Sequence, residues 1–303
     1  MIATIIVGYK NDDLTIQFVT NELIKTRIDN VVVLVNNAST EDSNFALASN
    51  LNGQIVHDLG EEIDTAKRFF VISSEDNLGF ARANNLGATF IHKYFPSCAF
   101  LLFSNNDIKI IDSEVINVLI SKLISDESIG IITPNIIGRD GKRQTPQRKH
   151  SIIPSTLYLW ISILSGGLFS RVIKSYSEKA EAGYHYSFSE CFFMTRTDYF
   201  IRCGMMDPAT FLYAEGLCLT ERMLKINKRY FFEPSVTVVH ENGTTTRKSI
   251  NQERMTKMMS DSNLYYYKTY RKASSFELRI LELSTRLRIR LSKIKRTMLY
   301  DQE

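Results

Sequence analysis

The stretch "CAFLLFSNND", Cys98 to Asp107, carries six apolar residues straight into four polar ones. A short apolar run that ends abruptly in turn-forming residues suits a strand buried on both faces. The pattern recurs on either side. "ATIIVGY" (Ala3–Tyr9) closes at Gly8, "NVVVLVNN" (Asn30–Asn37) runs into the turn and cap residues "NAST", and "RFFVISSE" (Arg68–Glu75) is a third run. "IGIITPNII" (Ile129–Ile137) follows, with "GRDGKR" as a hairpin-like turn. Between them lie segments of helical spacing. "DDLTIQFVTNELIKT" (Asp12–Thr26) places Leu14, Phe18 and Leu23 on one side, with Asp12 as an N-cap. "GFARANNLGATFIHKY" (Gly79–Tyr94) and "DSEVINVLISKLISD" (Asp112–Asp126, capped by Asp112 or Ser113) are two more. Alternating strands and helices predict an α/β fold, with a largely parallel sheet and helices on both faces. Ligands of such sheets sit beyond the carboxyl ends of the strands. The segments there are Gly8-Tyr9-Lys10, Asn36-Asn37 and Ser104 to Asp107.

The second half reads differently. A basic, proline-bounded loop from Lys142 to Pro154 leads into an apolar segment of helical character. "YSFSECFFMTRTDYFIRCGMMDP" reads as strand, helix and turn. "RYFFEPSVTVVHENGTTT" reads as a pair of short strands around Pro234, and the chain from Asn251 on reads as helix.

Composition sets bounds. The chain has 303 residues, 44% hydrophobic and 23% charged, which is ordinary globular usage, and a net charge of only +4. From Arg271 onward nine Lys/Arg face four acids, so this tail carries the whole excess. Cys98, Cys191, Cys203 and Cys218 are scattered, which points to reduced thiols and against a zinc or disulfide framework. "MIATIIVGYK" reads as a strand and not as a signal peptide. The most apolar segment, "SIIPSTLYLWISILSGGLF", is broken by Pro154, Ser and Gly, so no membrane span is expected and the placement is read as cytoplasmic. No GxGxxG, P-loop or GxSxG elbow occurs.

Asp107 is the only carboxylate at the end of its strand. A divalent metal shared with phosphate oxygens suits such a position, and so does a turn cap. His240 ends the apolar run "VTVVH" and reads either as structural or as a ligand. Glu215 stands inside "TFLYAEGLCLTER" with Gly216 directly after it.

Taken in order, "IIVGYKNDD", "VVVLVNNAST", "NLGFARANNLG", "LLFSNND" and "TFLYAEGLCLTERMLKINKRYFFEPSVTVVHENGTTT" resemble family 2 glycosyltransferases of the GT-A fold. The resemblance is especially to the bacterial rhamnosyltransferase-like, capsule or O-antigen branch. The resemblance covers roughly Ile2 to Thr246. It implies a GT-A (nucleotide-diphospho-sugar transferase) fold over residues 1–250, a mixed and mostly parallel sheet flanked by helices. A basic amphipathic helical region would follow over 251–303.

The resemblance also implies roles. Gly8 and Tyr9 would line the nucleotide pocket, and Asn36 and Asn37 would face base and ribose. Asn77, Gly79, Asn84 and Asn85 would shape the donor pocket, where Ala83 replaces a frequent glycine. Asn105 stands for the first acid of a DxD motif. Asp107 would hold Mn2+ or Mg2+ on the diphosphate, with His240 as a further metal or diphosphate contact. The family's adjacent acid pair falls on Glu215 and Gly216, so the second acid, often the base, is missing. Glu215 acting as base, substitution by Asp207, Glu221 or Glu241, and lost activity are the three readings.

The implied reaction is inverting transfer from a nucleotide-diphosphate sugar to a glycan or lipid-linked glycan acceptor in surface polysaccharide synthesis. The alternative is a catalytically silent module that binds donor, glycan or a partner transferase. A nucleotidyltransferase is a third class, but its glycine-rich loop is absent. The cations Lys142, Arg143, Arg148 and Lys149 would cover the diphosphate, meet an anionic acceptor, or be simply solvated. The basic, amphipathic C-terminal helices suggest either peripheral contact with the inner membrane face or packing on the catalytic domain or a second subunit. Nucleic acid is not an expected partner.

Overall fold

The computed structural model describes residues 1–147, 149, 151–164, 179–241 and 252–300. Arg148, the end of the apolar segment at 165–169, the 242–246 piece of the last motif and Asn251 lie outside the described residues.

The apolar runs become the centre of a mixed sheet. Its strands are β1 (Ile2–Gly8), β2 (Asn30–Asn37), β3 (Gln54–Val56), β4 (Phe69–Ser74), β5 (Phe100–Ser104), β6 (Ile108–Ile110), β7 (Ile129–Gly138), β8 (Gly183–His185), β9 (Phe192–Arg196) and β10 (Arg229–His240). The order across the sheet is β3-β4-β2-β1-β5-β9-β7-β10-β6, with β8 on β10. Strands β3, β4, β2, β1 and β5 run parallel, β9 runs against both β5 and β7, and β10 follows β7. The carboxyl ends of β1, β2, β4, β5, β7 and β10 therefore share one edge, and β9 begins there.

Both faces of the sheet are buried, which is why the strands are apolar without alternation. Ile2, Ile6, Val32 and Leu34 pack on one side with Leu47 of α2 (Glu41–Asn50) and Leu119 of α4 (Val115–Ser125). Ala3, Ile5, Val33 and Val35 pack on the other with Phe90 of α3 (Gly79–Tyr94), Phe200 of α6 (Thr197–Arg202) and Leu219 of α7 (Glu215–Lys225). The helical segment expected over 12–26 is present, but its winding changes. It is α-helical in α1 (Asp12–Gln17), a π-turn over Phe18–Glu22 and a tighter 3-10 turn over Leu23–Thr26.

One expectation is corrected. The residues around Pro234 form a single strand, β10, and the proline is absorbed where the register against β7 slips between Glu233 and Thr237. Proline has no N–H for the ladder, and a bulge passes it without ending the strand.

Helix α5 (Ile152–Leu164) and the last two helices, α8 (Gln252–Thr269) and α9 (Ser275–Tyr300), complete the chain. Tyr266 of α8 is buried against Ala214 and Cys218 at the start of α7. Ser260 of α8 donates to Thr285 of α9 at 2.9 Å. Among the described residues, no helix is long and apolar enough to cross a membrane.

Candidate active site

The turn after β5 forms the centre of the shared edge. Asn106 donates to the Thr15 hydroxyl at 2.8 Å, which fixes the turn from α1. The chain then crosses to pair β6 with the end of β10, His240 opposite Ile108. That pairing brings Asp107 Oδ1 within 3.2 Å of His240 Nε2. Nδ1 of His240 lies 2.8 Å from Gln144 Oε1, and its buried Nε2 faces Asp107. Burial opposes a charge on this imidazole, but Cys191 and Asp107 beside it outweigh burial and raise its pKa to about 10.

The donor set suits a cation held by few protein groups. One carboxylate and one imidazole, oriented through its far nitrogen, match a metal that takes most of its oxygens from phosphates and water. No group of three or more His, Cys, Asp or Glu side chains able to hold a metal occurs among the described residues. Asn105 contributes its N–H to the Cys191 carbonyl at 2.8 Å and ties this turn to the start of β9.

Glu215 opens α7 beside this edge. The two residues before it, Tyr213 and Ala214, both have positive φ, 75° and 65°. Such backbone costs about 1–3 kcal/mol per residue and persists only where the surroundings enforce it. The same loop is tied down just before them, where the Leu212 carbonyl accepts from Ser262 at 2.8 Å and the Phe211 carbonyl from Phe80 N–H at 3.0 Å. Gly79, at φ +75°, makes that contact possible, because a Cβ there would lie 2.4 Å from the Phe211 oxygen. The close approach expected at Gly79 is thus an approach by the protein's own loop. Glu215 is 3% exposed, and its Oε1 has no hydrogen-bond partner. Burial, and then the charge of Glu190, push its carboxyl from 4.5 up to about 8.

Glu190 is the residue that sequence reading missed. It lies just before β9 in "SECFF". Its Oε1 accepts the Gly216 N–H at 2.7 Å, on the first turn of α7. Burial raises its carboxyl above the usual range, against the pull of that N–H. The only local signal was an acid directly preceding a strongly apolar strand.

Several of the residues expected to contact a donor make hydrogen bonds within the protein. Asn36 and Asn37 are 2% and 3% exposed. Asn36 donates to Ser43 and Asn44 of α2, at 2.9 and 3.0 Å. Asn37 accepts from Leu78 N–H at 3.3 Å. Both amides are thus tied to the protein's own helices, α2 and the start of α3. Asn84 donates to the Phe80 carbonyl at 3.0 Å within its own helix. Asn85 clamps Met206 with two bonds of 2.8 and 3.0 Å. Asn77 is exposed and accepts from Gly79 N–H at 3.0 Å. Gly8 ends β1 opposite Asn36, and the half-buried Tyr9 follows with Lys10 over its ring.

Two of the substitute acids are otherwise engaged. Asp207 accepts from Tyr265 at 2.9 Å and Tyr270 at 2.5 Å, with Arg222 at 3.4 Å. Glu221 accepts from the Tyr186 hydroxyl, which also meets Tyr266. Both anchor α8. Glu241 is ion-paired with Lys109 at 2.6 Å. Of the loop cations, Lys142 pairs with Asp140 at 2.9 Å, Arg143 bonds Asn135 and the Ala180 carbonyl at 2.9 Å, and Lys149 lies over the Tyr186 ring. A cavity of about 540 Å³ opens at the opposite edge of the sheet, near Asn30 and Arg68, away from these carboxylates.

No protein-family profile matches the chain, and no curated protein matches it. Among solved structures it is similar to the crystal structure of GalNAc-T7 with UDP, GalNAc and Mn2+. The TM-score is 0.54 at 13% identity, over 99% of this chain and 57% of that one. The likeness, with the sheet order above, defines the fold as GT-A: mixed α/β, mostly parallel, flanked by helices. The chain spans little more than half the length of that structure.

Proposed function

We propose that the chain is a nucleotide-sugar-dependent glycosyltransferase. The observation that supports this most is the meeting, at one edge of a GT-A sheet, of a carboxylate pair (Glu190 and Glu215) with an Asp107–His240 pair. GalNAc-T7, similar in fold, was crystallised with UDP, a sugar and Mn2+, and a nucleoside-diphosphate sugar suits the same edge here. Asp107 and His240 would hold Mn2+ or Mg2+. Such a cation, when bound, offsets charge on the departing diphosphate. The carboxylate pair supplies a proton acceptor for the attacking hydroxyl, which fits displacement with inversion.

The finer reading follows the sequence resemblance: a rhamnosyl- or hexosyltransferase of the family 2, capsule or O-antigen type, with residues 1–250 as the catalytic unit. A lipid-linked acceptor is favoured by apolar surface on the C-terminal helices and α5. Phe276, Leu283, Leu287 and Leu291 are exposed along α9 among arginines, and Ile153, Leu157 and Ile161 are exposed along α5. A basic, apolar face of this kind suits the cytoplasmic side of an anionic membrane, and pairing with a second copy is the competing use.

The second reading, a silent donor- or glycan-binding module, draws its support from Gly216. Incubation with UDP-, GDP- and dTDP-sugars, with Mn2+ and after chelation, separates the two. Metal-dependent release of nucleoside diphosphate is the expected result. Binding of a nucleotide without turnover of any donor would establish the silent module.

A further inference from the structure

We propose that Glu190 is the proton-accepting carboxylate of this site and takes in space the place that position 216 leaves vacant in sequence. The inference rests on the transferase reading and deepens it. A Cβ on Gly216 would lie 2.5 Å from Oε1 of Glu190 and 2.8 Å from its Cδ and Cγ. The Glu190 carboxylate therefore fills the volume into which a side chain at 216 would project. The Gly216 N–H holds it there at 2.7 Å.

The topology explains how an acid 26 residues earlier arrives at this point. Strand β9 runs against β5, so it begins where β5 ends, with Phe192 opposite Ser104. Its first residues reach the same edge as the turn at Asp107, through the bond from Asn105 N–H to the Cys191 carbonyl. Glu190 immediately precedes Cys191, and Cys191 neighbours His240.

The two carboxyls are not equivalent. Glu215 is almost fully buried, whereas Glu190 keeps partial surface exposure although burial still raises its carboxyl. The first turn of a helix favours a negative charge on Glu190 through its N–H groups. Glu215, pushed up to about 8, keeps its proton at neutral pH and spares Glu190 a charged neighbour. Glu190 then takes the proton of the acceptor hydroxyl. The hydroxyl oxygen bonds to the anomeric carbon, and the bond from that carbon to the phosphate oxygen breaks. The electron pair leaves with the nucleoside diphosphate, and Glu190 returns its proton to water.

A purely structural Glu190 is the competing account. Ala214 offers α7 no side-chain cap, and Glu190 supplies an acceptor in its place. Glutamine separates the two, since its carbonyl oxygen still accepts the Gly216 N–H but takes up no proton. The full-length chain and its Glu190→Gln, Glu190→Ala and Glu190→Ala/Gly216→Asp variants are assayed for nucleoside diphosphate release from the same donor panel with Mn2+. Thermal melts and donor KM are measured alongside.

The expected result is a Glu190→Gln protein with unchanged melting and KM, and turnover down by about 100-fold or more. Moving the acid to position 216 should recover about tenfold over Glu190→Ala, as one general-base contribution is partly restored. Should Glu190→Gln fail to fold, recovery in the double variant decides, and no recovery overturns the proposal. An active wild type whose Glu190→Gln form turns over equally well refutes the base assignment alone. A wild type silent with every donor refutes the transferase reading and this inference with it.

Discussion

The contact between Glu190 and Gly216 makes a prediction that needs no knowledge of the substrate. Gly216 lies in the first turn of α7 and is not among the positive-φ glycines, so alanine meets no backbone conflict there. It does meet Glu190, because the added methyl would lie 2.5 Å from Oε1. Glu190 must swing out and lose its 2.7 Å bond to the helix. A hydrogen bond to a charged group contributes about 1.5–3 kcal/mol. Replacing glycine by alanine in a helix returns about 0.8–1 kcal/mol. Gly216→Ala should therefore destabilise the wild type by about 1–2 kcal/mol. With Glu190 already changed to Ala the space is empty, only the helical gain remains, and the same substitution should stabilise by about 0.5–1 kcal/mol. The sign reverses, with a coupling of about 1.5–3 kcal/mol. Urea and thermal unfolding of the four proteins measure it, at roughly 2–4 °C per kcal/mol for a chain of this size. Effects of one sign in both backgrounds, additive within about 0.5 kcal/mol, would show that Glu190 does not occupy the space of residue 216.

Three further outcomes are expected. Burial works against the charge on Asp207, but the Tyr270 and Tyr265 hydroxyls, the Ala209 N–H and Arg222 outweigh it and hold its carboxyl below the usual range. Asp207→Asn should cost about 3 kcal/mol by removing the counter-charge of the largely buried Arg222, and limited proteolysis should then cut between α7 and α8 first. The stability contributed by Asp207 is present above its ordinary pKa of 3.8 and is lost as pH falls through its lower folded value. Glu215 has the opposite sign. With its carboxyl raised from 4.5 to about 8, the folded chain binds more protons than the unfolded one in that window, so this group's stabilisation declines as pH rises through it. Glu215→Gln should flatten that decline in urea midpoints measured at pH 5, 7 and 9, and parallel slopes would remove the account. Leu283→Asp with Leu287→Asp should abolish co-sedimentation with vesicles containing anionic phosphatidylglycerol. Unchanged binding would show that this face of α9 does not carry the membrane contact.

The sheet was legible because strands buried on both faces leave no choice of residue. Ile2–Gly8, Asn30–Asn37 and Phe100–Ser104 are apolar throughout, and their polar ends mark the edge where the carboxylates collect. Pro234 was misread because a bulge depends on the partner strand, which is distant in sequence. The internal bonds of the asparagines were hidden for a related reason. An amide at a strand end or a helix start can face a ligand or brace a turn, and residue type does not tell these apart. Asn36 needed Asn44, and Asn85 needed Met206, before their roles were visible. The C-terminal helices read as amphipathic, and the structure brings Tyr265, Tyr266 and Tyr270, at the end of α8, onto Asp207 and the start of α7.

The same distinction bears on whether this site is silent. Position 216, taken alone, is a lost acid, and the silent module follows from it. In three dimensions the acid is displaced, since a glycine at 216 is the residue that admits Glu190. The arrangement is costly in ways that a binding module has no use for. Glu215 is buried with one oxygen lacking any hydrogen bond, burial and the charge of Glu190 raise its carboxyl, and the loop before it holds Tyr213 and Ala214 at positive φ. An unpartnered buried polar atom costs about 1–3 kcal/mol, and strained backbone adds a similar amount. A fold under pressure only to be stable would gain by replacing Glu215 with glutamine or leucine. Paired carboxyls with displaced pKa values, kept at the strand ends against that gradient, are what proton transfer requires and what binding a nucleotide does not. Glycine at 216, which admits Glu190 beside the buried Glu215, thus supports the proposed transferase rather than the silent module.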